Sequence, residues 1–358
     1  MRIAVIAHVR FAVAQPFMGG MEAHCASLCD GLVARGHQVT LFAAPGSRTA
    51  AELVEICPAP YETVLPWKDW RGSAELNAFQ AEAFGQAWRM IVAGGFDVAH
   101  NNALFPGMIE WADRDTVPLL TSQHVPPFGA MRDAVRAAAG NALLQFSVTS
   151  RSQEQLWFDV PPSNLACVHN GIDTQLRRPG DAGRRLLWSG RITPNKGTAH
   201  ALRAAHRAGV ALDIIGSMED EVYFAREVAP LLDADRSYLG HLSGEALRAR
   251  MAGARALVAT PMWDEPFGLV AAEALSCDIP VIAFDRGALR EVVGDCGVLC
   301  PPGDVAALAA AMRDCPVLPR GQARRRAERF FSIDAMISGY ERLYAASIAE
   351  ARARRDAR

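Results

Sequence analysis

Trp263-Asp264-Glu265-Pro266-Phe267-Gly268-Leu269-Val270-Ala271-Ala272-Glu273-Ala274-Leu275 lies between two short apolar runs, residues 256–259 and 281–283. The order reads as strand, loop, helix, strand, the unit from which parallel α/β sheets are built. Pro266 and Gly268 hold a turn open, and an apolar helical pattern begins directly after them. The first backbone N–H groups of a helix have no partner inside it, so they form a natural anion site. Glu265 sits in the loop, and Glu273 about a turn and a half inside the helix. At about 1.5 Å rise per residue the two are separated by on the order of 10 Å. The paired carboxyls of a retaining glycosidase lie only about 5–5.5 Å apart. The wider spacing suits two contacts on one long ligand whose middle is anionic.

Upstream, Ser189-Gly190-Arg191-Ile192-Thr193-Pro194-Asn195-Lys196-Gly197 follows the apolar run Leu186-Leu187-Trp188 and precedes another helical pattern. It places two cations on one strand-to-helix loop. A guanidinium grips phosphate oxygens bidentately, and an ammonium acts as a mobile point charge. Two acids and two cations around a helix tip match the shape of a nucleotide sugar: ribose, diphosphate, hexose.

Working outward, apolar runs alternate with helical stretches along the whole chain. Strands are predicted at 3–7, 39–43, 98–101, 119–122, 146–149 and 165–169 in the first half. They are predicted at 186–189, 212–215, 238–239, 256–259, 281–283 and 298–299 in the second. Met21, Cys25, Leu28 and Leu32 recur at helical spacing over 20–34, with Gly36 as a C-terminal glycine cap. The polar, Pro- and Gly-broken stretch 171–183, containing Arg177-Arg178-Pro179-Gly180, reads as a domain linker. A helical tail follows from about Ala306 and ends in a basic segment, 352–358.

These motifs, with Met18-Gly19-Gly20-Met21-Glu22 near the start and Asn170-Gly171-Ile172-Asp173 at the junction, resemble the family 4 retaining glycosyltransferases (glycosyl transferases group 1). The resemblance covers nearly the whole chain. It implies an α/β fold of two facing Rossmann-like parallel-sheet domains, the GT-B arrangement, with a C-terminal helix crossing back to the first domain. The expected domains are 1–172 on the acceptor side, 184–330 for the nucleotide sugar and 331–358 as the returning helical tail.

By the same resemblance, the catalytic group is His124, Glu265, Arg191 and Lys196. The donor is held by Gly19, Gly20, Arg191, Lys196, Gly216, Leu239, Gly240, Glu265, Phe267, Gly268, Leu269, Val270 and Glu273. Glu273 takes the ribose hydroxyls, and Arg191, Lys196 and the amides of Phe267 to Val270 take the diphosphate. Glu265 orients the sugar, which His124 also contacts. The segment Tyr238-Leu239-Gly240-His241-Leu242 cradles the base through its backbone. His100, at the end of a strand, is expected to line the acceptor cleft, with the acceptor surface around Arg10 to Met18 and Trp67 to Trp70.

The implied activity is transfer of a hexose from a nucleoside diphosphate sugar, UDP-sugar favoured, to a hydroxyl acceptor, carbohydrate or lipid-linked. No cofactor and no metal are expected: Arg191 and Lys196 supply the charge, and Asp233-Ala234-Asp235 reads as a solvated loop. Gly19-Gly20 is not the Gly-x-Gly-x-x-Gly pattern, which disfavours a nicotinamide cofactor. A sugar-nucleotide epimerase, or a non-catalytic nucleotide-sugar-binding protein, would share this architecture; the segment from Glu265 to Glu273 favours transfer.

Bulk properties narrow the field further. A chain of 358 residues exceeds one ordinary core and fits two domains. A formal net charge of −2 gives no support for a nucleic-acid partner. The eight cysteines show no Cys-x-x-Cys pair and lack zinc spacing, which reads as buried reduced thiols in a cytoplasmic protein. The apolar start breaks at His8 and Arg10, so it is expected to be a buried strand and not a signal peptide. No run approaches the roughly 20 apolar residues of a membrane span; weak peripheral contact through the basic tail is the one membrane association considered.

Overall fold

The computed structural model describes residues 1–176, 180 and 183–357. It divides into two units, Met1–Gly171 with Ile333–Arg358, and Ile172–Ser332. Of the expected linker, Arg177, Arg178, Pro179, Asp181 and Ala182 lie outside the described residues.

The first unit holds β1 (Arg2–Ala7), β2 (Gln38–Ala43), β3 (Glu52–Glu55), β4 (Val98–Asn102), β5 (Leu119–Gln123), β6 (Leu144–Val148) and β7 (Leu165–Cys167). They form one sheet in the order β3-β2-β1-β4-β5-β6-β7. Every neighbouring pair is parallel. Helices cover both faces, which is why β1 is buried from Ile3 to Ala7 instead of alternating. On one face Ile6, Phe42, Phe84, Trp88 and Phe146 share a core that includes the helix Ala74–Ala93. On the other, Ile3, Val5, Leu28, Leu41, Ile337 and Tyr340 join the helices Gly20–Ala34 and Ile333–Asp356 to the sheet.

The returning helix therefore belongs to the first unit. A Cβ placed on Gly31 would lie 2.9 Å from Ile337 Cγ1, so the absence of a side chain there lets the two helices approach. Gly36, at φ +81°, ends its helix as expected. Its N–H bonds the Val33 carbonyl at 2.9 Å, and that of His37 bonds Leu32 at 3.1 Å.

The second unit holds β8 (Leu186–Ser189), β9 (Leu212–Ile215), β10 (Arg236–Tyr238), β11 (Leu257–Ala259), β12 (Val281–Phe284) and β13 (Gly297–Cys300). Their order is β10-β9-β8-β11-β12-β13, again parallel throughout. In each sheet the order reverses once, between β1 and β4 and between β8 and β11. Open α/β sheets bind ligands at the carboxyl ends of the strands flanking such a reversal.

β3 is the strand the sequence reading missed. Its four residues, Glu-Leu-Val-Glu, carry an acid at each end and only two apolar positions. That composition suits the edge of a sheet, where charge discourages further pairing, and it hides the strand from a hydrophobic search. The strand predicted at 146–149 runs two residues earlier, as Leu144–Val148. No described helix is long and apolar enough to cross a membrane.

Candidate active site

At the reversal in the second unit, the loops after β8 and β11 are stitched together by one hydroxyl. Thr260 Oγ1 donates to the carbonyls of Lys196 and Gly197, and accepts from Trp188 Nε1 at 3.0 Å. The Met262 N–H adds a bond to the Asn195 carbonyl at 2.8 Å. Gly197 is left-handed (φ +69°), and a Cβ there would strike the Thr260 carbonyl. Only glycine lets the cationic loop lie this close to the acidic one.

The side chains then meet. Lys196 Nζ lies 2.6 Å from Glu265 Oε2, and the same oxygen accepts from Trp263 Nε1 at 2.9 Å. The ammonium also stands 5.1 Å from the Trp263 ring centroid. Lys196 and Glu265 keep 22% and 14% of their side-chain surface, so the pair is shielded but reachable by a ligand. Arg191 is exposed on the same loop, and its guanidinium pairs with Glu219 at 3.0 Å.

Glycines line the ends of β8, β9 and β10. The Gly190 N–H bonds Ile215 O, and that of Gly216 bonds Gly240 O, each at 3.0 Å. Gly216 sits at φ +154°, and a Cβ on it would overlap the Gly190 carbonyl. Leu239 continues the pairing by donating to Ile214 O at 2.9 Å. Bare backbone is what a flat base or a phosphate can approach.

Gly268, left-handed at φ +87°, turns the chain into the helix Leu269–Ser276. Leu269 and Val270 supply its first amides; the helical pattern begins with Ala271 N–H to Gly268 O at 2.9 Å. The Phe267 side chain is buried against Phe331, ring centroids 5.5 Å apart, so only its backbone faces this turn. Glu273 is the fifth residue of the helix and is half-buried.

The first unit builds its edge differently. Gly19 caps the helix that starts at Gly20 with extended backbone. His8, one residue past β1, reaches Glu22 with Nε2 to Oε1 at 3.0 Å, while its Nδ1 accepts from the Arg10 N–H at 3.2 Å. Burial pushes the Glu22 carboxyl up, but His8 and the amides of Gly19 and Glu22 outweigh it and hold the group below its ordinary value.

His124 follows β5, and its Nε2 lies 2.9 Å from Asn102 Oδ1 at the end of β4. Its ring packs at 4.4 Å, centroid to centroid, on His24. Burial, then His24 and His8, drive the His124 pKa well below the ordinary histidine value. His24 is pushed down to about 3 by burial and by His100, against the side chain of Asn170. Both shifts favour the neutral imidazole.

His100 is a correction. It was expected to line the acceptor cleft, but it has no exposed surface. Its Nδ1 meets Tyr344 Oη at 2.6 Å and its Nε2 meets Ser122 Oγ at 2.7 Å. A strand inside a sheet covered on both faces points its side chains into helices, so His100 pins the returning helix to the sheet.

Sequence reasoning gave no role to His8, Glu22, His24, Asn102 or Trp263. The available signal was position: His8 and Asn102 stand at the carboxyl ends of the two strands flanking the reversal.

The profile described as "Glycosyltransferase Family 4" matches residues 18–176, and that described as "Glycosyl transferases group 1" matches 177–327. Among similar proteins, the glycogen synthase of Mycobacterium tuberculosis (strain H37Rv) is 29% identical over 88% of this chain and 87% of its own. The D-inositol 3-phosphate glycosyltransferase of Mycolicibacterium smegmatis is 27% identical over 95% of this chain and 91% of its own. The crystal structure of Anabaena HepE in complex with UDP and glucose shares the fold, with a TM-score of 0.69 at 17% identity, over 97% of this chain and 100% of that one. With both profiles meeting end to end across residues 18–327, and with paired Rossmann-like sheets beneath them, the chain belongs to the family 4, group 1 glycosyltransferases.

Proposed function

We propose that this glycosyltransferase moves a hexose from a nucleoside diphosphate sugar, with UDP-sugar favoured, to a hydroxyl acceptor with retention at the anomeric carbon and without a metal. The observation that carries the reading is the Lys196–Glu265 pair, held at 2.6 Å at the reversal of the second sheet. Around it lie an exposed guanidinium, three strand-end glycines and a helix tip. The solved HepE complex, with UDP and glucose bound to a protein of this fold, supports the choice of base.

Breaking the sugar–phosphate bond makes the diphosphate more negative and the sugar cationic. Lys196, Arg191 and the amides of Phe267 to Val270 donate toward the leaving oxygens, and loss of one such donor typically costs about 2.7–4 kcal/mol. Lys196 exchanges its carboxylate partner for phosphate when the donor arrives. Glu265 is then released toward the sugar, and Glu273 takes the ribose hydroxyls. Gly216, Leu239 and Gly240 offer backbone to the base; Gly19, Gly20 and His124 act on the sugar side. Attack occurs on the face the phosphate leaves, and the phosphate takes the acceptor proton.

Titration with UDP, GDP and ADP, read by thermal shift, tests the donor. A stabilisation by UDP larger than by the other two is expected; equal or absent shifts would remove the uridine assignment. Glu273→Ala is expected to lower turnover at least tenfold, since a hydrogen bond to a charged group is worth about 1.5–3 kcal/mol. Unchanged turnover would take Glu273 out of the site.

A further inference from the structure

A neutral imidazole carries one proton, so whichever nitrogen donates, the other must accept. Burial favours the neutral form of His124. Its Nε2 lies 2.9 Å from Asn102 Oδ1, an oxygen that only accepts, while the buried Asn102 Nδ2 has no partner among the described residues. We infer that Asn102 is a positioning residue that fixes His124 as the Nε2–H tautomer and leaves the Nδ1 lone pair as an acceptor for a hydroxyl of the transferred sugar. The ligand half of this inference rests on the nucleotide-sugar reading; the tautomer half does not.

Three observations support it. Asn102 is 2% exposed at the last position of β4, paired in register with Ala7 of β1, so its side chain cannot wander. No hydrogen bond engages His124 Nδ1 among the described residues, and the atom is absent from the buried unpartnered ones, so it is the open end of the ring. His24 packs on the His124 ring at 4.4 Å and is itself held by Tyr340 Oη at 3.4 Å, which keeps the imidazole from rotating. Neighbouring His8 shows the same logic: an N–H from Arg10 at Nδ1 leaves Nε2–H to face Glu22.

The consequence is a division of labour. A His124 fixed with its lone pair outward accepts from a sugar hydroxyl, and it has no second proton to give to the diphosphate, so it does not promote wasteful cleavage of the donor. A free imidazole exchanging tautomers would spend part of its time presenting N–H, which repels a hydroxyl proton.

The test is a long-range 1H–15N correlation spectrum of the full chain with 15N-labelled histidine, His124 being assigned by the peaks lost in His124→Gln. The expected pattern is a neutral ring protonated at Nε2. Asn102→Leu is expected to redistribute the proton toward Nδ1. It should also raise KM for UDP-glucose about tenfold, the worth of one modest hydrogen bond, with inhibition by UDP alone unchanged. Asn102→Asp, near-isosteric and safer for folding, keeps the Nε2–H tautomer but stabilises the imidazolium. The titratable groups coupled to this ring are His24, His8 and His100, none of them an acid, so the new carboxylate acts directly on His124. The acidic limb of the activity profile should therefore move to higher pH, because the lone pair is lost as pH falls through a raised pKa. An Nδ1–H ring in the wild type, or an unaltered tautomer in Asn102→Leu, would overturn the inference. Equal loss of UDP and UDP-glucose binding in Asn102→Leu would reduce Asn102 to a structural residue and overturn it too. The spectrum needs no substrate, so absence of UDP-sugar turnover in the wild type would sink the functional reading while leaving the tautomer result intact.

Discussion

The two units have the same parallel sheet, yet their carboxyl edges solve opposite problems. The edge of the first unit carries histidines held below their ordinary pKa, with His124 packed on the buried His24. The edge of the second is built from charge and bare backbone, with Lys196 on Glu265, Arg191 beside them and glycines at three strand ends. A neutral, desolvated edge offers directional hydrogen bonds to uncharged hydroxyls. A charged, glycine-rich edge offers counter-charge and close backbone approach to an anionic group. One fold supports both because the loops, not the sheets, carry the chemistry.

The largest effect that can break this contrast is acid. The folded pKa values of His24 and His100 lie far below the ordinary 6.5. The unfolded chain therefore takes up protons that the folded first unit refuses. Stability is full above about 6.5 and falls with pH toward about 3 for His24, by about 1.4 kcal/mol per pH unit for each such group. In the second unit, the downward-shifted histidine is His200, and it is only half-buried. Hydrogen exchange followed by mass spectrometry from pH 7.5 to 4.5 should show the first unit opening before the second. The reverse order would end the distinction.

Next comes Gly216→Ala. The added Cβ meets the Gly190 carbonyl, and φ +154° suits no other residue. Overpacking together with backbone strain should cost about 3 kcal/mol, seen as earlier urea unfolding of the second unit alone. A neutral result would mean that Gly216 is placed for a ligand only.

Lys196→Ala should cut turnover about a hundredfold, the lower end for one lost donor at a developing oxyanion. Its melting temperature should move by roughly a few degrees at most, since Glu265 keeps the Trp263 Nε1–H and part of its contact with water. Collapse of the fold in place of turnover would make the pair structural.

The smallest effect is Tyr344→Phe. It removes the hydroxyl that His100 Nδ1 meets at 2.6 Å, leaving a buried nitrogen unpaired. A loss of about 1–2 kcal/mol in the first unit is expected, read by thermal unfolding, with the stabilisation proposed for UDP unchanged.

Much of this was legible in the order of residues. The strands at Leu186–Ser189 and Leu212–Ile215 were readable to the residue, because strands covered on both faces are mostly apolar. The cation loop and the helix tip at Gly268 were readable because glycine and proline mark turns through backbone sterics. β3 was not, because two apolar residues between two glutamates look like any loop. His100 was misread as a strand-end residue: it is the middle residue of β4, and sequence does not show whether such a histidine faces a cleft or a helix. Which one it faces depends on Tyr344, which lies 244 residues away along the chain.

The chain by itself determined local geometry and the inventory of groups: which segments extend, which coil, and that two cations, two acids and several turn glycines would stand on strand-to-helix loops. Those properties follow from side-chain bulk, periodicity and backbone freedom within a few residues. Only the tertiary structure decided that Lys196 shares one carboxylate oxygen with Trp263, that Asn102 meets His124, and that His24 and His100 lose their charge. Proximity and desolvation arise from what packs against a group from elsewhere in the chain, and no local pattern encodes them.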